Sequence, residues 1–204
     1  MVNLTRIYTR TGDQGTTALG DFSRTSKNDP RLIAYADTDE ANSAIGIALA
    51  CGELEDDVRT LLIRVQNDLF DVGADLCTPL VADPEYPPLR VQAPWIDALE
   101  EACDRYNEDL EKMRSFILPG GTPASAHLHL ARTITRRAER SAWAALQEYG
   151  QAEAPAGSER GTGGVNPLTA TYLNRLSDLL FILARVANIA QGGDVAWVPG
   201  GERA

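Results

Sequence analysis

Residues 168–189 read LTATYLNRLSDLLFILARVANI. At about 100° per residue, Leu173, Leu176, Leu179, Leu180, Ile182, Leu183 and Ala187 spread over most of a helical circumference. Asn174, Ser177, Asp178, Arg185 and Asn188 are confined to one narrow stripe, which also holds Phe181. A helix apolar nearly all round belongs at the centre of a helical protein, because every apolar face needs a neighbour to cover it. Its polar stripe then has two outlets. Either a network between helices or subunits satisfies it, or it lines a cavity, since an unpaired buried polar group costs about 1–3 kcal/mol.

The rest of the chain supplies the neighbours. Residues 31–50 form a helical pattern ended by Gly52, with Asp29 as its expected cap and Pro30 in its first turn. Over residues 55–76, Val58, Leu61, Leu62, Val65, Leu69, Val72 and Leu76 recur at three and four, the mark of a buried stripe. Five prolines between 79 and 94 make the next stretch a connection. A third helix is expected over 95–110 and a long fourth over 125–149. Residues 150–165, GQAEAPAGSERGTGGV, are poor in apolar side chains and are expected to be a mobile loop. The first thirty residues read as loop or at most a short hairpin. No strand-length alternation competes with the five helical patterns, so the reading is all-α, a five-helix bundle in a single domain over 1–204. Within it, 1–29 is an extended N-terminal loop, 30–191 the bundle and 192–204 a Gly- and Pro-bearing tail.

Composition narrows the function. The 204 residues are 44% hydrophobic and 24% charged, with a net charge of −10 and a pI near 4.7. Such an acidic chain is not expected to bind nucleic acid, which demands positive potential. Cys51, Cys77 and Cys103 are odd in number and form no CxxC, so neither a disulfide frame nor a zinc site is expected. With no signal-like N-terminus and no uncharged apolar run of spanning length, the expected setting is the cytoplasm.

The polar residues gather in three places. In the fourth helix Arg132, Arg136, Glu139 and Arg140 share one face with Trp143, while Ala131, Ile134, Ala138, Ser141 and Ala145 share the opposite one. Three arginines around one acid resemble a polyanion clamp, because guanidinium binds phosphate oxygens in pairs. A solvated surface stripe is the alternative, and Trp143 on the same face counts against it. In the first helix Tyr35, Asp39, Asn42, Ser43 and Gly46 share a face, with Asp39 either a surface carboxylate or a partner for a basic residue of the fourth helix. In the N-terminal loop, Thr9, Thr11, Gly12, Gly15, Thr16 and Thr17 present hydroxyls and backbone N–H groups in succession, with Arg24 and Lys27 downstream. Such a run suits an anion, yet it is neither a Walker A motif nor a Rossmann fingerprint. His127 and His129, two residues apart on a helix, point in different directions and make a poor metal pair.

Four segments in order carry a resemblance: IYTRTGDQGTT (7–17), AYADTDEANSAIG (34–46), FILPGGTPASAHLHLARTITRRAER (116–140) and YLNRLSDLLFILAR (172–185). Together they resemble the PduO-type family of ATP:cob(I)alamin adenosyltransferases. That resemblance implies an up-and-down, ferritin-like bundle assembling as a homotrimer, with active sites between neighbouring subunits. It implies that Thr9, Arg10, Thr11, Gly12, Thr17 and Lys27 contact ATP from the loop of one subunit. Arg136, Arg137, Glu139, Arg140 and Asn174 would contact it from the helices of the next, with Mg²⁺ on the phosphates and no metal site made by protein side chains. Asp39 and Arg132 match a pair that bridges subunits, and Phe116 an aromatic below the corrin ring that displaces the lower axial ligand. The implied partners are ATP, cobalamin, a reductase and a cobalamin-dependent mutase. The tail after Trp197 is expected either to cover the corrinoid or to fray. A non-catalytic helical nucleotide-sensing module would keep the loop and the arginine stripe but leave Phe116 without a purpose.

Overall fold

The computed structural model describes residues 8–202. Five helices carry the chain: α1 (Pro30–Cys51), α2 (Asp56–Leu76), α3 (Ala93–Asn107), α4 (Pro123–Tyr149) and α5 (Leu168–Val186). Two three-residue strands, β1 (Thr16–Ala18) and β2 (Arg24–Ser26), pair antiparallel ahead of them, so the N-terminal segment is a hairpin.

Helix ends follow local chemistry. Asp29 caps α1 by accepting from the Arg31 N–H at 2.8 Å, with Pro30 in the first turn, where a missing N–H costs nothing. Thr122 caps α4 by accepting from the Ser125 N–H at 3.0 Å, with Pro123 following. The final helix stops at Val186, three residues earlier than its pattern suggests, and a short 3-10 turn over Ile189–Gln191 continues it. The reason is Asn188. Its side chain bonds the Gly120 carbonyl, the Thr122 N–H and Asp194, holding the chain in a turn there.

α5 lies at the centre, with Leu173, Leu176, Leu179, Leu180 and Leu183 all buried. Each contributes about 2 kcal/mol of hydrophobic stabilisation. It packs against α4 on one side and α3 on the other, while α1 packs against α4 and α2. Neighbours run in opposite directions: Tyr35 meets Gly73 and Asn42 meets Gln66 between α1 and α2, and Arg132 meets Phe181 between α4 and α5. The buried carboxylate of Asp75 accepts from Arg90, the Val91 N–H and Asn166, which fastens the proline-rich connection to the start of α5.

One expectation changes. Residues 150–165 are not a mobile loop. Val81 and Ala154 form a bridge, Leu80 donates to the Gly164 carbonyl, and the Val165 N–H returns to Gly150. Leu80, Val81 and Ala82 supply a partner edge from about 70 residues away, so low local apolar content says nothing about order here. Up to Trp197 the tail is paired with the segment before α4: Leu118 donates to Val195, Trp197 donates to Phe116, and Ile117 bridges Ala196. Cys51, Cys77 and Cys103 are free thiols, as expected, with burial pushing Cys77 and Cys103 up to about 11. Among the described residues, no helix is long and apolar enough to cross a membrane. Ile7, which opens the first motif, and Arg203 and Ala204 of the tail lie outside the described residues.

Candidate active site

Antiparallel packing of α4 on α5 leaves a groove between their outer faces. A cavity of about 190 Å³ is lined by Arg132 and Arg136 from α4 and by Ser177, Asp178, Phe181 and Ile182 from α5. It shares Arg132 and Arg136 with a second depression along α4, about 380 Å³, where Glu139 and Arg140 join them. The polar stripe of α5 therefore divides. Its first half lines this groove, and its second half, Arg185 and Asn188, is satisfied internally by Asp194, Glu111 and Gly120.

Electrostatics in the groove favour an anion. Burial and the positive charge of Arg136 hold the Arg132 guanidinium below its ordinary range. The buried Nε of Arg132 has no hydrogen-bond partner, and its guanidinium lies 5.9 Å from the Phe181 ring centre. Among the described residues, none of Arg132, Arg136 and Arg140 takes part in an ion pair. Three cations, none of them ion-paired, repel one another, and a polyphosphate would relieve that cost. Two carboxylates line the groove: Glu139, to which Trp143 Nε1 donates at 3.3 Å, and Asp178, whose charge is answered by Arg175 at 2.8 Å. Asn174 is exposed one turn before Ser177, which antiparallel packing places opposite the Glu139–Arg140 end of α4.

Arg137 behaves differently. One residue beyond Arg136, it turns about 100° toward α1. There it pairs with Asp37 at 3.1 Å and with Glu40, while Ser141 also donates to Asp37. Its stem still borders the groove, but its charge is already answered.

The N-terminal residues sit elsewhere. β1 and β2 hold residues 9–15 at their open end, where Gly15 accepts from the Lys27 N–H. Thr9 and Thr11 hydroxyls are 2.8 Å apart, and Arg24 donates to the Thr11 carbonyl and the Thr16 hydroxyl. The Lys27 Nζ lies 3.0 Å from where a Cβ on Gly12 would be, so glycine lets the ammonium lie across the loop backbone. Arg10 takes a positive φ of 63°, and Thr17 pairs with Thr25 in the hairpin. Among the described residues, no hydrogen bond or ion pair joins residues 9–17 to Arg132, Arg136 or Arg140. Asp39 is likewise exposed on the flank of α1 that faces α2, and no ion pair joins it to Arg132. Within one chain, then, the loop and helix halves of the expected site are apart.

Phe116 stands in the segment before α4, 77% exposed although it is a large aromatic. Trp197 meets it edge-on, ring centres 6.2 Å apart. Leu118, Val195 and Val198 are exposed alongside. Trp197, Ser177 and Asp178 are absent from the residues assigned to the site by sequence. An isolated tryptophan in a Gly-rich tail was the available signal for the first, and the narrow stripe of α5 for the others.

His129 adds a measurable consequence. It is buried, neither ring nitrogen has a hydrogen-bond partner, and it packs edge-on against Phe181. Burial, then the charge of Arg132, lowers its pKa below the ordinary 6.5, with Asp194 opposing. The folded protein therefore binds fewer protons here than the unfolded chain, and stability falls as pH drops below about 6.5. His129→Leu should flatten the dependence of Tm on pH between about 6.5 and 5, as followed by thermal melts; an unchanged slope would assign that dependence to other groups.

Comparison with known proteins places the chain in a family. Residues 7–187 match the family described as Cobalamin adenosyltransferase. A corrinoid adenosyltransferase of Mycobacterium tuberculosis (strain H37Rv) is 58% identical over 202 residues, 99% of this chain and 97% of that one. A cobalamin adenosyltransferase of Cupriavidus metallidurans is 47% identical over 95% of each chain. Among solved structures, a phenylalanine-to-alanine variant of the PduO-type ATP:corrinoid adenosyltransferase from Lactobacillus reuteri, complexed with cobalamin and ATP, superposes with a TM-score of 0.80. It is 35% identical, covering 95% of this chain and 100% of that one. An arginine-to-lysine variant from the same organism, complexed with ATP, gives a TM-score of 0.78 at the same identity. With the match running from the hairpin to the end of α5, the chain belongs to the cobalamin adenosyltransferase family.

Proposed function

We propose that this enzyme transfers the 5′-deoxyadenosyl group of ATP to the cobalt of cob(I)alamin, giving adenosylcobalamin and triphosphate. One observation carries the reading in physical terms: Arg132 and Arg136 border a groove with no carboxylate paired to either. Cob(I)alamin is the nucleophile. Its cobalt attacks the 5′ carbon of ATP, the C5′–O bond breaks, and triphosphate leaves with the electron pair. No side chain need act as nucleophile or base. The protein's work is to align cobalt with the carbon and to stabilise charge on the departing triphosphate.

Arg136, Arg140, Glu139 and Asn174 would hold the nucleotide from the helix side, and Thr9, Arg10, Thr11, Gly12, Thr17 and Lys27 from the loop side. Arg137 contributes through its stem and through its anchorage to α1. Since the two halves are apart within one chain, the reading needs the loop of one subunit to meet the α4–α5 groove of the next, in a homotrimer. Asp39 on one subunit would then pair with Arg132 on its neighbour. A double-mutant cycle with Asp39→Ala and Arg132→Ala, read out as trimer dissociation by sedimentation, should give a coupling energy of about 1–3 kcal/mol; additive effects would leave the two residues uncoupled.

Among the described residues, no group of three or more metal-binding side chains is present. Mg²⁺ usually rests on substrate phosphates and one or two carboxylates, and Glu139, beside Arg136 and Arg140, would be the carboxylate that reaches it. When bound, it would neutralise phosphate charge. Phe116, exposed and braced by Trp197, would occupy the space below the corrin ring and exclude a lower ligand, which eases reduction of cob(II) to cob(I). The reading treats 1–204 as one adenosyltransferase domain in the cytoplasm, where three free thiols are stable. A reductase would supply the electron and a cobalamin-dependent mutase would use the product. Anaerobic mixing with ATP, Mg²⁺ and cob(I)alamin tests the reaction. The adenosylcobalamin spectrum should appear with stoichiometric triphosphate; ATP binding without conversion would favour a nucleotide-sensing module instead.

A further inference from the structure

The N-terminal hairpin is fastened to the body of the protein at its turn, by Gly161 and Cys77, and at its base, by Tyr149 through Asp29, while Arg31 of α1 ties the 150–165 segment down beside it. At the hairpin turn, Asp21 accepts from the Ser23 N–H and hydroxyl and, at 2.5 Å, from the Gly161 N–H. Beside it, the Gly20 N–H donates to the Cys77 carbonyl at the end of α2. At the base, Asp29 accepts from the Thr25 hydroxyl of β2 at 2.6 Å and from the Tyr149 hydroxyl of α4 at 2.8 Å, while also capping α1. Arg31 is fully buried. Its guanidinium lies 4.0 Å from the Tyr149 ring centre and donates to the carbonyls of Gly163 and Gly164. Gly163 has a φ of +110° and packs its α-carbon against the Leu80 carbonyl, so no other residue fits where Arg31 reaches.

A two-stranded hairpin of three-residue strands is marginal on its own, so these contacts also fix where it sits. Burying an arginine is costly; here Tyr149 stacks on the charge and two of its nitrogens are hydrogen-bonded, while Nε has no partner. None of Asp21, Asp29, Arg31 and Tyr149 lies in the loop that presents Gly12 and Lys27. Asp21 grips the hairpin at its turn, opposite the open end, while Asp29 and Tyr149 grip it at the base, two residues beyond Lys27.

We infer that the 150–165 segment, through Asp21 and the Asp29–Tyr149–Arg31 cluster, is a seat that sets the direction in which the hairpin offers its open end to ATP. These residues position the loop without touching nucleotide. The inference rests on the proposed role of the loop in holding ATP. A preset loop spares the ordering cost that a free one would meet on binding, so the seat acts on ATP affinity and not on the chemical step.

Asp21→Asn and Tyr149→Phe test it on the full-length protein, since each removes one anchor and keeps its shape. ATP binding measured by calorimetry without corrinoid should weaken about tenfold in each, the loss of one charge-assisted hydrogen bond. kcat at saturating ATP and KM for cobalamin should remain within about twofold of wild type. Lys27→Ala serves as the control for the loop itself. If Lys27→Ala weakens ATP binding and both anchor variants bind like wild type, the seat is only structural and the inference falls. A lowered Tm with unchanged ATP affinity overturns it in the same way. If Lys27→Ala also binds normally, the loop does not hold ATP and the seat falls with it.

Discussion

Phe116→Ala should cut turnover about 100-fold, close to 3 kcal/mol, when the assay starts from cob(II)alamin and a reductant. ATP affinity should change less than about twofold. Phe116 is 77% exposed and braced only by the paired tail, so removing its ring leaves the bundle intact. What is lost is an apolar block against a lower ligand. Solvent then fills the space, a lower ligand returns to cobalt, and reduction becomes harder. The loss should therefore shrink when chemically prepared cob(I)alamin is supplied. Equal losses from both starting materials, or parallel losses in turnover and ATP binding, would remove Phe116 from this role.

Arg136→Ala should lower kcat/KM for ATP about 1,000-fold, near 4 kcal/mol, with thermal stability unchanged. Arg136 is exposed, and no ion pair holds it among the described residues, so its removal should not unsettle the fold. Charge builds on triphosphate as the C5′–O bond breaks, and a planar guanidinium answers two oxygens at once. Arg136→Lys should recover part of the loss, because it restores charge but not the fork. Near-wild-type kinetics in Arg136→Ala would shift the triphosphate contact to Arg132 or Arg140.

Much of this was legible beforehand because it is local. A repeat of three and four in residues 58–76 reports a buried face whatever lies against it, and the all-round apolar surface of α5 reports a centre. Asp29 before Pro30 marks a helix start through a contact two residues away, whereas the Thr122 cap starts α4 at Pro123, two residues before the expected 125. The shared face of Arg132, Arg136, Glu139 and Arg140 follows from helical geometry alone.

What sequence could not express is pairing between distant residues. Low apolar content over 150–165 suggested mobility, yet Leu80, Asp21 and Arg31 fix that stretch through backbone groups, which carry no side-chain signature. The tail's pairing with 115–118 is hidden for the same reason. Arg137 illustrates a finer limit: periodicity placed it off the arginine stripe, and only the presence of Asp37 and Glu40 across the interface decided where its charge goes. By itself, then, the sequence determined five helices, their buried faces and the clustering of cations, all consequences of a repeating backbone geometry. Tertiary structure alone decided which loops are rigid, how the polar stripe of α5 divides, and that the loop and groove halves lie apart within one chain, because those depend on partners far away in sequence.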